Sequence, residues 1–195
     1  EVGGATSVAE CWELVRVSEE TGKPVMLLEN CCYNDVEMAL LNMVKQGVFG
    51  EIVHCRGGYQ HDLREEIGNG DINRHYRQDH FMHRCAELYP THELGPIAQI
   101  LDINRGNRFL SLWSVASKSA GLNQFAADHP NANPELATAT FAQGDVITTV
   151  IKCARGETIT LHLDTSLPRP YSRGFTIQGT KGMYQEDTRS FFIDA

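Results

Sequence analysis

No glycine-rich phosphate loop occurs in the 195 residues. Neither a Gly-x-Gly-x-x-Gly string nor a P-loop can be found, although there are 17 glycines. If a nucleotide is involved, its phosphates are held by something outside these residues. There is no Cys-x-x-Cys pair either, which removes the common zinc and dithiol frameworks. No apolar run approaches the roughly 20 residues a membrane-spanning helix needs. Positive charge is scarce: Lys plus Arg is 17 against 25 for Asp plus Glu, a formal charge of −8. A nucleic-acid backbone is therefore a poor partner, and small-molecule chemistry moves up. Internal repeats and low-complexity tracts are also absent.

What remains is ordinary for a folded domain. Hydrophobic residues make up 42% and charged residues 22%, and a chain of this length buries a core without disulfides or a structural metal. The cysteines Cys11, Cys31, Cys32, Cys55, Cys85 and Cys153 are irregularly spaced. Cys31 and Cys32 are adjacent, so a bridge between them would be strained. The set reads as buried free thiols, in a reducing compartment or a fold that keeps them inside. There is no initiating Met, and the last residues stop inside a strand-like pattern, so both ends read as cut.

Ser7-Val8-Ala9-Glu10 forms a capping box, and Val8, Cys11, Trp12 and Val15 recur at helical spacing up to Thr21-Gly22. Val25 to Leu28 reads as a buried strand. Asn34 with Glu37 opens a second helix that ends at Gly47, and Glu51 to Tyr59 reads as the next strand. From about Leu63 to His80 the chain is polar without a clear period, a long loop. A helix follows Pro90-Thr91, with Pro96 tolerated in its first turns. Phe109 to Ser117, Leu136 to Ala142, Val146 to Ala154, Glu157 to Asp164 and Phe175 to Gln178 then read as short strands joined by turns. Helices first and a meander later predict an α+β domain: an open, largely antiparallel mixed sheet with helices on one face. The mixed polarity of Thr138, Thr140, Thr148, Thr149, Thr158 and Thr160 suits solvent or a partner sheet, hence a homodimer through the sheet face.

Several strings carry chemistry. Glu29-Asn30 leaves an apolar strand, where open α/β sheets bind ligands, or it caps the helix that follows. Tyr59, His61 and Asp62 end the next strand. Tyr59 acts as a general base only if a nearby cation or dipole lowers its pKa from about 10. Tyr89-Pro90-Thr91-His92 lies at a helix N-terminus, where the dipole favours neutral imidazole, ready to take a proton. His75, His80 and His83 form a loose cluster without Cys or carboxylate support, so no metal is expected there.

Leu27-Leu28-Glu29-Asn30-Cys31-Cys32-Tyr33, Gly58-Tyr59-Gln60-His61-Asp62-Leu63-Arg64, Leu88-Tyr89-Pro90-Thr91-His92, Asp102-Ile103-Asn104-Arg105-Gly106-Asn107-Arg108 and Asp164-Thr165-Ser166-Leu167-Pro168-Arg169-Pro170 together resemble the family 109 glycoside hydrolases of the Gfo/Idh/MocA oxidoreductase superfamily. The resemblance implies an α-N-acetylgalactosaminidase-like activity with a tightly held NAD and a carbohydrate substrate. It implies a Rossmann domain, of which residues 1–30 are the terminal helix and strand. Residues 31–195 would be most of an α+β substrate and oligomerisation domain. Glu1-Val2 falls where many superfamily members carry Glu-Lys-Pro. The implied reaction oxidises the sugar at C3, eliminates the C1 substituent after loss of the C2 proton, adds water and returns the hydride. That route differs from two-carboxylate glycosidases. By similarity, His92 and Tyr89 hold the C3 and C4 hydroxyls, with His92 assisting proton transfer, and Tyr59 is the base at C2. Glu29 meets substrate or nicotinamide ribose, and Asn30 and Tyr33 lie along the cofactor. Cys85-Ala86 and Glu93 depart from the family pattern, and a carboxylate beside His92 would raise its pKa or alter the sugar accepted. The isolated chain is expected to be inactive. The rival readings are an NAD(P)-dependent sugar or inositol dehydrogenase of the same superfamily and a non-catalytic dimerisation module.

Overall fold

The computed structural model describes residues 4–73 and 76–194. It opens on α1 (Val8–Thr21). The Ser7 hydroxyl accepts from the Glu10 N–H, and Gly22, at φ +66, ends the helix. The Glu10 carboxylate reaches Thr6 rather than Ser7, so the box closes one residue early. No residue of α1 is buried; Trp12, on its apolar stripe, is 68% exposed. The buried strand expected at Val25 to Leu28 does not form. These residues are unpaired and exposed, because no strand lies beside them among the described residues and a lone strand has nothing to complete its ladder.

A 3-10 turn, Asn30–Tyr33, leads into α2 (Asp35–Lys45). Asn34 precedes this helix without a side-chain cap bond, and Glu37 faces inward onto Arg173. The strand β1 (Ile52–Gln60) follows. The stretch read as a long loop holds three short helices: α3 (Arg64–Gly68), α4 (Gly70–Asn73) and α5 (Tyr76–His83). Buried Ile67 and Phe81 anchor α3 and α5, and one apolar contact per short helix leaves no period to read. In α6 (Thr91–Ile100) Pro96 is the sixth residue, not in the first turn, so the His92 carbonyl loses its helical donor.

β2 (Phe109–Ala116) and α7 (Gly121–Asp128) precede a second 3-10 turn at Pro134–Ala137. No strand forms at Leu136 to Ala142. The Asn123 amide takes the carbonyls of Leu136 and Ala139 at 2.8 and 2.9 Å, which a ladder would otherwise need. Then come β3 (Val146–Cys153), β4 (Thr158–Asp164), β5 (Thr176–Gly179), β6 (Gly182–Gln185) and β7 (Ser190–Ile193). The sheet has seven strands in the order β2-β3-β4-β1-β5-β6-β7. Only the β1–β4 pairing is parallel.

The strands β3 and β4 alternate strictly. Ile147, Ile151, Ile159, Leu161 and Leu163 point to the helix side and are buried, each worth roughly 1.5–3 kcal/mol. Thr148, Thr158 and Thr160 stand on the other face. Thr149 does not: it is buried and bonds Ser114 at 2.9 Å. Thr138 and Thr140 lie outside the strands. Cys31, Cys32, Cys55 and Cys153 are buried free thiols, whereas Cys11 and Cys85 are exposed. No helix among the described residues is long and apolar enough to cross a membrane.

Candidate active site

Two glycines let the site assemble. A Cβ on Gly57 would lie 2.4 Å from the Cβ and Cγ of Glu93, and a Cβ on Gly95 2.8 Å from the Cγ of Glu29. Their absence lets α6 settle onto β1 and lets the Asn30–Tyr33 turn settle onto α6. Tyr59 at the end of β1, Glu29 before the turn and His92 at the start of α6 therefore converge.

The contacts are direct. His92 Nδ1 lies 2.7 Å from Glu29 Oε1. That same oxygen accepts from the Cys31 N–H at 3.0 Å. Burial works to raise the Glu29 carboxyl, but the Cys31 amide, His92 and Thr91 outweigh it and hold it below the ordinary range. The Tyr59 ring sits 4.4 Å from Tyr89 and 5.6 Å from His92, and Tyr89 lies 4.9 Å from His92. The Tyr59 hydroxyl is 3.2 Å from His61 Nδ1. Burial raises the Tyr59 phenol, with Arg77 opposing, and pushes Tyr89 up to about 12. Both phenols are hydrogen-bond donors at neutral pH. Tyr59 is therefore not the pre-lowered base that a free phenolate mechanism requires.

The structure brings Glu29, Tyr59, Tyr89 and His92 together. Asn30 and Tyr33 sit apart from them on the exposed side of the 3-10 turn, Tyr33 61% exposed. Glu93 is not beside the imidazole. It turns under Gly57 toward Arg173, 3.6 Å away, in a buried cluster with Glu37 and Glu186, and burial pushes its pKa up to about 10. His75 lies outside the described residues. His80 and His83 are both on α5; His80 packs on Tyr76, and His83 meets Asp79.

Two side chains that sequence reasoning left unassigned complete the aromatic cluster. Arg77 lies 5.8 Å over the Tyr59 ring and 5.1 Å over Tyr89. Tyr171 stands edge-on to His61 at 5.1 Å. Both come from aperiodic segments, where only an unexplained Arg and Tyr hinted at them. Thr91 lines two hollows. One of about 580 Å³ reaches Tyr76, Glu87 and Tyr89, and one of about 270 Å³ reaches Leu27 and Glu29. Asn30 and Tyr33 are exposed on the turn that carries Glu29, with an amide and a phenol that could hold the ribose end of a dinucleotide.

The profile of "Glycosyl hydrolase 109, C-terminal domain" matches residues 33–195. A glycosyl hydrolase family 109 protein of Parabacteroides distasonis is 47% identical over 99% of this chain and 46% of its own length. An alpha-N-acetylgalactosaminidase of Tannerella forsythia is 45% identical over 100% of this chain and 45% of its own. The chain thus spans just under half the length of these relatives. Among solved structures, an inositol dehydrogenase homolog of Azotobacter vinelandii complexed with NAD+ superposes with a TM-score of 0.66 at 14% identity, over 98% of this chain and 46% of that one. A scyllo-inositol dehydrogenase of Lactobacillus casei, with NAD(H) and scyllo-inositol, gives 0.63 at 14% identity, over 93% and 47%. At that identity the likeness is one of fold.

Proposed function

The chain belongs to glycosyl hydrolase family 109, and from that premise we propose that it forms the sugar-facing half of an NAD-dependent glycosidase acting on N-acetylgalactosaminides. The observation that carries the reading is the convergence of Glu29, Tyr59, Tyr89 and His92 on one spot.

When bound, NAD supplies a reversible hydride acceptor for C3 of the sugar. The protein's own residues do the rest. Glu29, Asn30 and Tyr33 would hold the ribose end of the cofactor. His92, oriented by the Glu29 carboxylate, takes the proton of the C3 hydroxyl; this pairing fixes the ring. Tyr89 donates to the C4 hydroxyl. Oxidation at C3 acidifies the C2 proton, and Tyr59 takes it. A buried phenol of raised pKa does this only by passing its own proton on, and His61 Nδ1 at 3.2 Å stands ready to receive it. The C1 substituent leaves and water adds; bound NAD would take up and give back the same two electrons, so no net redox change is expected.

The test is turnover of an N-acetylgalactosaminide by the complete enzyme in D2O. One deuterium at C2 of the released sugar, without net NADH, is the expected result. Full retention of protium at C2 would overturn the mechanism. Net NADH from a free sugar would instead favour the dehydrogenase reading, which rests on likeness of fold at 14% identity.

Residues 1–30 are proposed to belong to the nucleotide-binding domain. The uncovered apolar side chains of α1 and of Val25 to Leu28 support this, since such a stripe is normally buried against another element. The sheet face opposite the helices is proposed to pair with a second copy.

A further inference from the structure

Glu29, Cys31 and His92 each offer one metal-ligating atom, and these atoms all lie within 4.8 Å of one another. Carboxylate, thiolate and imidazole together form a donor set suited to a thiophilic divalent ion such as zinc. Bond lengths of about 2.0 Å to nitrogen or oxygen and about 2.3 Å to sulfur put the donors of one tetrahedral site roughly 3–4 Å apart. Side-chain adjustments on the order of 1 Å therefore close the triangle.

A second observation points the same way. Glu29 is 6% exposed, and its Oε2 is cut off from solvent with no well-formed hydrogen bond. Its Oε1 is already committed to the Cys31 amide and to His92. With Thr91 as the only other, poorly aligned partner of that carboxylate among the described residues, a cation beside it would be stabilised. The Cys31 thiol is 4% exposed on the same turn, and the Glu29 carboxylate beside it is the anion an added cation would meet.

We propose that Glu29, Cys31 and His92 form a three-ligand binding site for Zn2+ or a similar thiophilic ion, with a fourth position open to solvent. Binding forms a metal–sulfur bond and releases the Cys31 proton to the buffer. The site stands on geometry alone. Its consequence rests on the proposed function: Glu29 and His92 cannot hold the metal and serve the cofactor and sugar together, so an occupied site is an inhibited one.

The probe is Co2+, added to the 195-residue chain with the exposed Cys11 and Cys85 changed to Ser. The expected result is a thiolate-to-cobalt charge-transfer band that saturates at one equivalent and is erased by Zn2+. Cys31→Ser is expected to abolish the band. Glu29→Gln is expected to weaken binding at least tenfold. Cys32→Ser disturbs the same turn without touching the ligand set and keeps the band, which separates loss of a ligand from loss of the fold. No band in the parent chain, or a band that survives Cys31→Ser, overturns the site. Neither result bears on deuterium incorporation at C2, so failure here leaves the glycosidase reading where it stands.

Discussion

At the scale of single residues, two buried carboxyl groups behave in opposite ways, and hydrogen bonds decide the difference. Glu29 loses water but gains the Cys31 amide and His92, and its pKa falls. Glu87 loses water and gains almost nothing. Both of its carboxyl oxygens are sealed off without a well-formed partner, and burial pushes it up to about 8 against a weaker pull from the Tyr89 amide. Unfolded, it titrates near the ordinary value of about 4.3. Between those two values the folded chain keeps a proton that the unfolded chain has lost, so stability falls as pH rises through that window. Glu87→Gln removes the ionisation while keeping the shape. The variant is expected to be more stable than the parent chain at pH 8, by about 1–4 kcal/mol, with the gain shrinking toward zero near pH 4–5. Urea denaturation at both pH values measures it. An equal effect at the two pH values would show that Glu87 is ionised in the fold.

At the scale of elements, α7 is held from a distance. Its N-terminus has no side-chain cap of its own. The Asp145 carboxylate, just before β3, accepts from the N–H groups of Ala120 and Gly121 at 2.7 and 3.0 Å and from the Ser166 hydroxyl at 2.8 Å. Asp145→Ala strands these donors and is expected to lower stability by roughly 2 kcal/mol. Hydrogen exchange should accelerate first in the α7 amides; exchange that rises evenly across the molecule would show that the carboxylate is no local anchor. Such a cap is invisible in sequence because it joins positions far apart. The same physics separates what was legible from what was not. β3 and β4 could be read because alternation is forced on any strand with one dry face, and α1, α2 and α6 because each runs long enough to show a stripe. Val25 to Leu28 looked like a strand because its residues are apolar, yet pairing needs a neighbour. Leu136 to Ala142 looked like one too, until Asn123 took its carbonyls. At the site, the positions of Tyr59 and His92 followed from a strand end and a helix start. Arg77 and Tyr171 did not, because short helices and proline-flanked segments carry no period. The direction of Glu93 depended on the space left by Gly57, a contact that only folding reveals.

At the scale of the whole molecule, the sheet face opposite the helices is the surface proposed to pair with a second copy. Register places Trp113, Val150, Thr160 and Arg56 in one row across β2, β3, β4 and β1. Trp113 is 62% exposed at the edge. On the other side of β2, Leu110 and Leu112 are exposed as well, so the strand offers apolar surface on both faces and an open backbone edge. Such an edge invites pairing or aggregation unless something covers it. Charge does not forbid a two-fold meeting of these faces. His54 and His162 stand on the same face, and burial first and Arg56 second hold both below their ordinary pKa. Neutral imidazoles leave Arg56 and Lys152 as the cations of that face on these strands, and in a self-complementary contact each need only be offset from its own copy. Val150 lies in the middle of the row. Val150→Arg would place an uncompensated guanidinium from each copy inside the interface, at a cost of several kcal/mol. The expected outcome, read by sedimentation velocity, is a dimer of the complete enzyme that becomes a monomer in the variant, with its circular dichroism unchanged. A variant that stays dimeric at micromolar concentration would move the interface elsewhere, and the uncovered face of β2 would then be the next surface to test.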